Sequence, residues 1–314
     1  MSRSPTRSGV IALIALSFIW GYTWVVQKEG LRFAGPFDYG VLRSIPSALI
    51  LFGAMIATRR PLRLPSPWRT LLFGLFQTTG FIAFTNWALL AGGVGKTAIL
   101  VYTMPFWTLL IAWPVLGERV RGLQWLAVAL AGAGLILVLE PWHLGGTVAS
   151  KILALAGGIC WAASAIVAKH WRRHEQYDLM AVTAWQMLLG GIGLGIIAWL
   201  VPSHPVHWTP YFGWLLAYMI IFSTAVGWFL WLFILSRLPA GIAGLSMMAV
   251  PVLGTLFSRL QLGERPGGSE LAGIVVIAAG LALLTWATRR DEAGGDENAH
   301  ASSEIERRND IRVR

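Results

Sequence analysis

Residues 116–119 read Leu116-Gly117-Glu118-Arg119, and 146 positions later residues 262–265 read Leu262-Gly263-Glu264-Arg265. Sliding the chain on itself by that offset aligns residues 95–137 with 241–283 without a gap, and sets Pro105 on Pro251 and Gly134-Leu135 on Gly280-Leu281. Four consecutive identities that include a Glu and an Arg are more than shared hydrophobicity produces. Earlier in each copy the offset falls to 141, pairing Trp20 with Trp161, Thr23 with Ser164 and Lys28 with Lys169, while an offset of 143 pairs Arg43 with Gln186. Small loop insertions account for the drift, and an internal repeat of this length constrains the whole architecture at once.

Composition says what kind of object is repeated. Of 314 residues 56% are apolar and 13% charged, and the mean hydropathy is +0.63. Soluble proteins are about 25% charged, so a soluble fold is excluded. The lone Cys160 excludes a disulfide scaffold and a Cys-based zinc site, which need several sulfurs at defined spacing. The net charge of +10 is unevenly spread: residues 289–314 carry 6 Lys/Arg and 7 Asp/Glu and read as a disordered polar tail. The body is therefore apolar and basic.

A bilayer core about 30 Å thick needs about 20 apolar residues in a helix. Ten such runs are bounded by charge, Pro or Gly: 9–26, 39–58, 70–90, 97–116, 122–139, 152–169, 179–201, 211–235, 240–262 and 271–288. Trp20, Tyr22 and Trp24 stand where a signal peptide needs small residues, so the first run reads as a retained helix. With the N-terminus inside, fourteen Lys/Arg, among them Arg59, Arg60 and Arg63, flank the cytoplasmic side and six flank the other. That asymmetry places both termini in the cytoplasm. The basic clusters flank membrane spans and have no soluble domain to carry them, so nucleic acid is not expected as a partner.

Five spans per copy is an odd number, so the second copy enters the membrane from the side opposite to the first. The expected fold class is an all-α polytopic membrane protein: ten transmembrane helices as two inverted five-helix repeats around a central cavity. Inverted repeats related by an axis in the membrane plane place the substrate near mid-membrane, at their interface, and such a pair can open alternately to either side.

Each copy thus has a Pro-containing fourth helix running into Leu-Gly-Glu-Arg and then a Gly-rich fifth helix. Together with Trp20-Gly21, Arg43 and Gln186, this pattern resembles the EamA-type branch of the drug/metabolite transporter superfamily over residues 9–288. The resemblance implies one repeat at 9–140, a second at 148–288, and a tail at 289–314. It also implies a ten-helix basket in the bacterial inner (plasma) membrane that exports amino acids and related metabolites, with first-helix residues lining the cavity. Substrate identity does not follow from it, because the shared motifs are structural.

A cavity wall should carry polar or aromatic residues at helical spacing within apolar helices. Trp20, Thr23, Trp24 and Gln27 share one face of the first span. Trp161 and Ser164 repeat that face in the sixth. Thr78 and Thr85, and Thr79 and Asn86, are seven apart in the third span; Thr224, Trp228 and Trp231 form a stripe in the eighth; Tyr102 precedes Pro105 in the fourth. The candidate substrate-binding residues are therefore Trp20, Thr23, Trp24, Arg43, Thr78, Asn86, Tyr102, Trp161, Gln186 and Trp228. The competing account is that hydroxyls bond across packed helices and that aromatics form interfacial belts. Trp68, Trp142, Trp171, Trp208 and Trp286, near span ends, read as belt residues.

Arg43 is the sharpest single signal. An Arg costs about 2.5–3.5 kcal/mol at bilayer mid-depth on insertion scales, so it either snorkels or faces a polar cavity, where Asp38 or a substrate carboxylate could pair with it. Lys28 can snorkel or face inward equally well. No carboxylate lies mid-span: outside the tail, Glu29, Asp38, Glu118, Glu140, Glu175, Asp178, Glu264 and Glu270 all sit at or near span ends. A cavity with a cation and no acid suits neutral, zwitterionic or anionic solutes better than lipophilic cations, although aromatic faces can hold a cation. Multidrug efflux is the alternative reading.

Pro105 and Pro251 each remove a backbone donor and are candidate hinges. Gly117 and Gly263 read as helix stops. Glu118, Arg119, Glu264 and Arg265 then form tight connections first and a gating salt bridge second. The stretch 92–97 imitates a phosphate loop, but Leu90 stands where a Gly is needed and an apolar helix replaces the strand. Nucleotide is not expected. His204 and His207 read as a surface loop, and Cys160 as a packing residue. An intramembrane enzyme is disfavoured: Gly244-Leu245-Ser246 lacks the following Gly of a nucleophile elbow, and no buried acid pair exists. No catalytic residue, cofactor or metal is expected. The expected partners are the lipid bilayer and a small-molecule substrate, with a monomer favoured and a dimer or a channel left open.

Overall fold

The computed structural model describes residues 7–117, 122–139, 148–228, 230, 249–264, 267–269, 271–280, 282, 283 and 286. Among these all regular structure is helical. The first copy comprises α1 (Arg7–Gly30), α2 (Pro36–Ala57), α3 (Pro67–Gly74), α4 (Phe81–Ala91), α5 (Val94–Val101), α6 (Met104–Leu116) and α7 (Leu123–Leu139). The second comprises α8 (Val148–His174), α9 (Leu179–Leu200), α10 (Pro210–Tyr218), α11 (Ala249–Leu262) and α12 (Leu271–Gly280). Among the described residues five segments are long and apolar enough to cross a membrane: Ile11–Gly30, Pro36–Ala57, Val94–Leu116, Val148–Trp171 and Leu179–Leu200.

Local chemistry sets where helices start and stop. Pro36, Pro67 and Pro210 occupy first turns, where a missing N–H costs nothing. Asp178 caps α9 by accepting from the Met180 and Ala181 N–H groups at 2.8 and 3.0 Å, and Thr209 caps α10 by accepting from Phe212 at 3.0 Å. Gly117 and Gly263, in the doubled motif, have φ of 69° and 70°. Both are left-handed positions that end a helix and suit glycine.

The third and fourth spans are not uniform. Leu75–Gly80 continues α3 into α4 as a π-helical wide turn, and Met219–Val226 extends α10 in the same way in the second copy. The span expected at 97–116 is broken between α5 and α6 at Tyr102–Thr103. Pro105 explains the break: it has no N–H to give the Val101 carbonyl. The chain bridges the gap with shorter bonds, Thr103 N to Leu100 O and Phe106 N to Thr103 O.

The two copies interleave. α2 packs along α9, α1 along α11, and α4, α5 and α6 against α8. Glycines set the closest approaches, as small residues do between membrane helices. A Cβ on Gly190 of α9 would stand 2.5 Å from the Thr78 Cβ, and one on Gly21 of α1 would stand 2.7 Å from the Leu253 Cβ. A Cβ on Gly158 of α8 would stand 3.0 Å from the Val101 carbonyl left open by Pro105. Arg60 to Asp178 and Arg69 to Glu175, at 3.1 and 3.2 Å, tie the ends of α2, α3, α8 and α9. These crossings leave a gap where α1, α2, α4, α8 and the second wide turn face one another.

Candidate substrate cavity

That gap is a cavity of about 70 Å³. From α1 come Trp20, Thr23, Trp24 and Gln27; from α2, Arg43; from the first wide turn and α4, Gln77, Phe81 and Thr85. Tyr102 enters from the helix break, Trp161 from α8, and Ser223 and Trp228 from the second wide turn and just beyond it. The rings form two contact sets, each crossing between the copies. Trp20 meets Trp228 edge-on at 5.5 Å, Trp24 lies 6.4 Å from Tyr102, Tyr102 meets Trp161 edge-on at 5.5 Å, and Trp161 lies 5.4 Å from Phe81. The two edge-on pairs each contribute about 0.5–1.5 kcal/mol beyond the area they bury. The Trp20 indole N–H donates to the Ser223 carbonyl at 3.0 Å, which fixes its orientation across the copies.

Arg43 is 8% exposed, so it faces inward. Its Nη1 donates to Gln27 Oε1 at 2.9 Å, Gln27 Nε2 donates to Asn86 Oδ1 at 2.7 Å, and Asn86 Nδ2 donates to the Pro36 carbonyl at 2.7 Å. Every partner in this relay is neutral. The ion pairs among the described residues join Glu29 to Arg32, Arg60 to Asp178 and Arg69 to Glu175; none involves Arg43. Asp38, a candidate partner on sequence grounds, instead accepts from Ser203 Oγ at 2.5 Å on the exposed side of α2.

Behind Arg43 lies a smaller chamber of about 30 Å³. It shares Arg43, Gln77, Phe81 and Trp228 with the main cavity and adds Ser44, Thr78, Gln186 and Thr224. Thr78 Oγ1 donates to Gln186 Oε1 at 2.7 Å across the two copies.

The structure therefore brings Trp20, Thr23, Trp24, Arg43, Tyr102, Trp161 and Trp228 to the main cavity and Thr78 and Gln186 to the smaller one. Asn86 is fully buried one step behind Gln27 and supports the wall without lining it. Sequence periodicity missed Gln77, Phe81, Ser44 and Ser223. Gln77 and Ser223 sit in the wide turns, where spacing by 3.6 fails; Ser44 was legible only as the neighbour of Arg43. Trp231 lies outside the described residues.

Other expectations are corrected. Lys28 neither snorkels outward nor points into the cavity: its Nζ donates to the Leu89 and Gly92 carbonyls, the latter at 2.9 Å, and so caps the end of α4. Trp171 is no belt residue; it is 1% exposed, its ring lies 4.4 Å from that of Tyr177 at a 39° tilt, and it donates to Glu175 Oε2 at 2.9 Å. Trp68, Trp208 and Trp286 are exposed, whereas Trp142 lies outside the described residues. The phosphate-loop imitation has a physical basis. The N–H of Val94, which opens α5, donates at 2.7 Å to the carboxylate of Glu264, so an anion does sit on this helix start, and it is the chain's own. Glu118, Arg119 and Arg265 lie outside the described residues, as do the side chains of Pro105 and Pro251.

Comparison with known proteins places this geometry. Residues 7–140 and 149–286 each match the model of the EamA-like transporter family. The uncharacterized transporter YoaV of Bacillus subtilis is 24% identical over 287 residues, covering 90% of this chain and 98% of YoaV. A probable amino-acid metabolite efflux pump of Escherichia coli is 28% identical over 297 residues, covering 90% of this chain and 96% of the pump. A crystal structure at 19% identity has the same fold, with a TM-score of 0.66 over 90% of this chain and 99% of its own. Two repeats matched over nearly the whole body lead to one conclusion: the chain belongs to the EamA-like transporter family.

Proposed function

We propose that this transporter exports small metabolites, amino acids foremost, across the bacterial inner membrane by alternating access. In this reading ten helices in two inverted copies surround the cavity, and both termini face the cytoplasm. The observation that carries it is a buried guanidinium with no carboxylate partner among the described residues, set in an aromatic-walled cavity to which both copies contribute. A cation in that position favours a solute that brings a carboxylate, and the rings suit its apolar part. The similarity to a protein named a probable amino-acid metabolite efflux pump supports the same class. An aromatic cage can also hold a cation, but a permanently charged lipophilic cation would meet Arg43 with no acid in the described wall to offset it.

The Arg43, Gln27 and Asn86 side chains give the copies a shared polar centre, and the cross-copy bonds Trp20 to Ser223 and Thr78 to Gln186 would have to shift as the cavity changes sides. No step needs a cofactor, a metal or a covalent intermediate. The test is counterflow in proteoliposomes: unlabelled amino acid on one side should drive saturable accumulation of labelled amino acid on the other. Uptake that is non-saturable and indifferent to the opposite side would indicate a pore and end this reading.

A further inference from the structure

The small chamber behind Arg43 has a one-sided chemistry. Three donors that line it have no hydrogen-bond partner among the described residues: Arg43 Nε, Ser44 Oγ and Thr224 Oγ1. Their residues are 8%, 1% and 3% exposed, so bulk water does not serve them.

Hydroxyls on helices ordinarily satisfy themselves by donating to the carbonyl one turn back. Ser17, Thr23, Ser47 and Thr183 do so in this chain. Ser44 and Thr224 do not, although each lies within helical backbone that offers such a carbonyl. For Thr224 the wide turn changes that spacing. The side-chain amide oxygens nearby are turned to other donors: Gln186 Oε1 takes the Thr78 hydroxyl and Gln77 Oε1 takes the Ser164 hydroxyl at 2.6 Å, and neither accepts from Ser44 or Thr224.

What remains is a cation, three idle donors, no carboxylate among the lining residues, and about 30 Å³ of space. Ordered water would satisfy the hydroxyls but leave the buried charge uncompensated. An anion satisfies both. The room is that of about two water-sized spheres, which fits a halide or one carboxylate group. We propose that this chamber is an anion site, with Arg43, Ser44 and Thr224 as its donors. It is filled either by a free halide or by the carboxylate of a solute whose bulk lies among the rings of the main cavity. The second source rests on the transport reading above; the first does not.

The probes are sodium chloride, 3-phenylpropionate and the neutral 3-phenylpropionamide, each added to the detergent-purified full chain at constant ionic strength with methanesulfonate as the balancing anion. Thermal denaturation reads binding, because a ligand of the folded state raises the midpoint. The expected result is a saturable rise with chloride or 3-phenylpropionate and none with the amide. Chloride alone identifies a free halide as the occupant; the carboxylate alone identifies a solute. A Ser44→Ala/Thr224→Val variant should bind the active anion roughly tenfold more weakly while unfolding as cooperatively as the parent. Arg43→Lys keeps a charge, loses Nε, and should weaken binding as well.

No response to either anion overturns the proposal. So does an equal response to acid and amide, or an unchanged affinity in the double variant. Counterflow is scored separately. A saturable anion shift in a protein that moves no solute would defeat the transport reading and leave this site standing, and saturable counterflow by a protein that shows no anion shift would do the reverse.

Discussion

The Glu264 carboxylate accepts the backbone N–H of Val94 at 2.7 Å, and Ser258 Oγ donates to the same oxygen at 2.5 Å. This joins the Gly-Glu-Arg turn of the second copy to the start of α5 in the first. The doubled motif had two sequence readings, a tight connection and a gating salt bridge. In the second copy Gly263 makes the connection while Glu264 reaches a helix start, and that contact is a hydrogen bond to backbone instead of an ion pair.

The bond predicts a graded effect of substitution. Glu264→Ala removes a helix cap, worth about 1 kcal/mol, and should lower the melting midpoint in detergent. Glu264→Gln keeps an acceptor and loses only the charge at the helix start, about 0.3–1 kcal/mol, so it should fall between. Identical midpoints for all three proteins would mean that this contact contributes nothing to stability.

Gln27 positions Arg43 and is held in turn by Asn86. Gln27→Met keeps the volume and removes both bonds. Counterflow should fall roughly ten- to a hundredfold, as expected when a charged group loses a buried partner, with the protein still monodisperse on a sizing column. Wild-type flux would show that Arg43 needs no such support.

Trp24→Ala and Arg43→Ala each remove part of the cavity wall. Both should abolish saturable counterflow while the purified protein remains folded, as judged by its circular dichroism. Normal flux in both would place the substrate elsewhere.

Gly158 lies against the Leu100 and Val101 carbonyls, where an added Cβ would stand 3.3 and 3.0 Å away. Gly158→Val should therefore destabilise by about 1–3 kcal/mol through overpacking. Gly53, whose Cβ would meet nothing within 4 Å, is the control. Gly53→Ala, inside α2, should leave stability unchanged or raise it by up to about 1 kcal/mol through helix propensity. Denaturant titration in mixed micelles compares them, and equal stabilities would remove the claim of a tight crossing.

Pro105→Ala restores a donor for the Val101 carbonyl and should let α5 and α6 join. The expected outcome is a higher melting midpoint with slower counterflow. A variant that transports normally would make the break a matter of shape alone.

The parts of this molecule legible in its sequence are those set by local chemistry or by repetition. Gly117 and Gly263 were readable as helix stops because only a residue without a Cβ takes φ near 70° without strain. The face Trp20, Thr23, Trp24 and Gln27 was readable because α1 keeps regular spacing, and all four reach the cavity. The third span was harder. Thr78 and Thr85, seven apart, should share a face, yet Thr78 bonds Gln186 in the small chamber and Thr85 lines the large one. A wide turn at Leu75–Gly80 rotates everything after it, and no residue type announces it. Trp171 and Lys28 were misjudged for another reason. Both stand at positions suited to the membrane surface; Trp171 is drawn in by Glu175 and Tyr177, four and six residues on where α8 ends and the chain turns, and Lys28 by the end of α4, a contact no local pattern announces.

The end of the first wide turn carries a practical consequence. Gly80 touches α8 at Cys160, whose Sγ would lie 2.8 Å from a Cβ placed on the glycine, and Cys160 is the single thiol of the chain. It is half-buried and adjoins Trp161 in the cavity wall. The native protein thus carries one chemical handle at the seam between its two copies. The rate at which a thiol reagent finds that handle, with and without solute, reports movement of α8 against the wide turn without a single engineered residue.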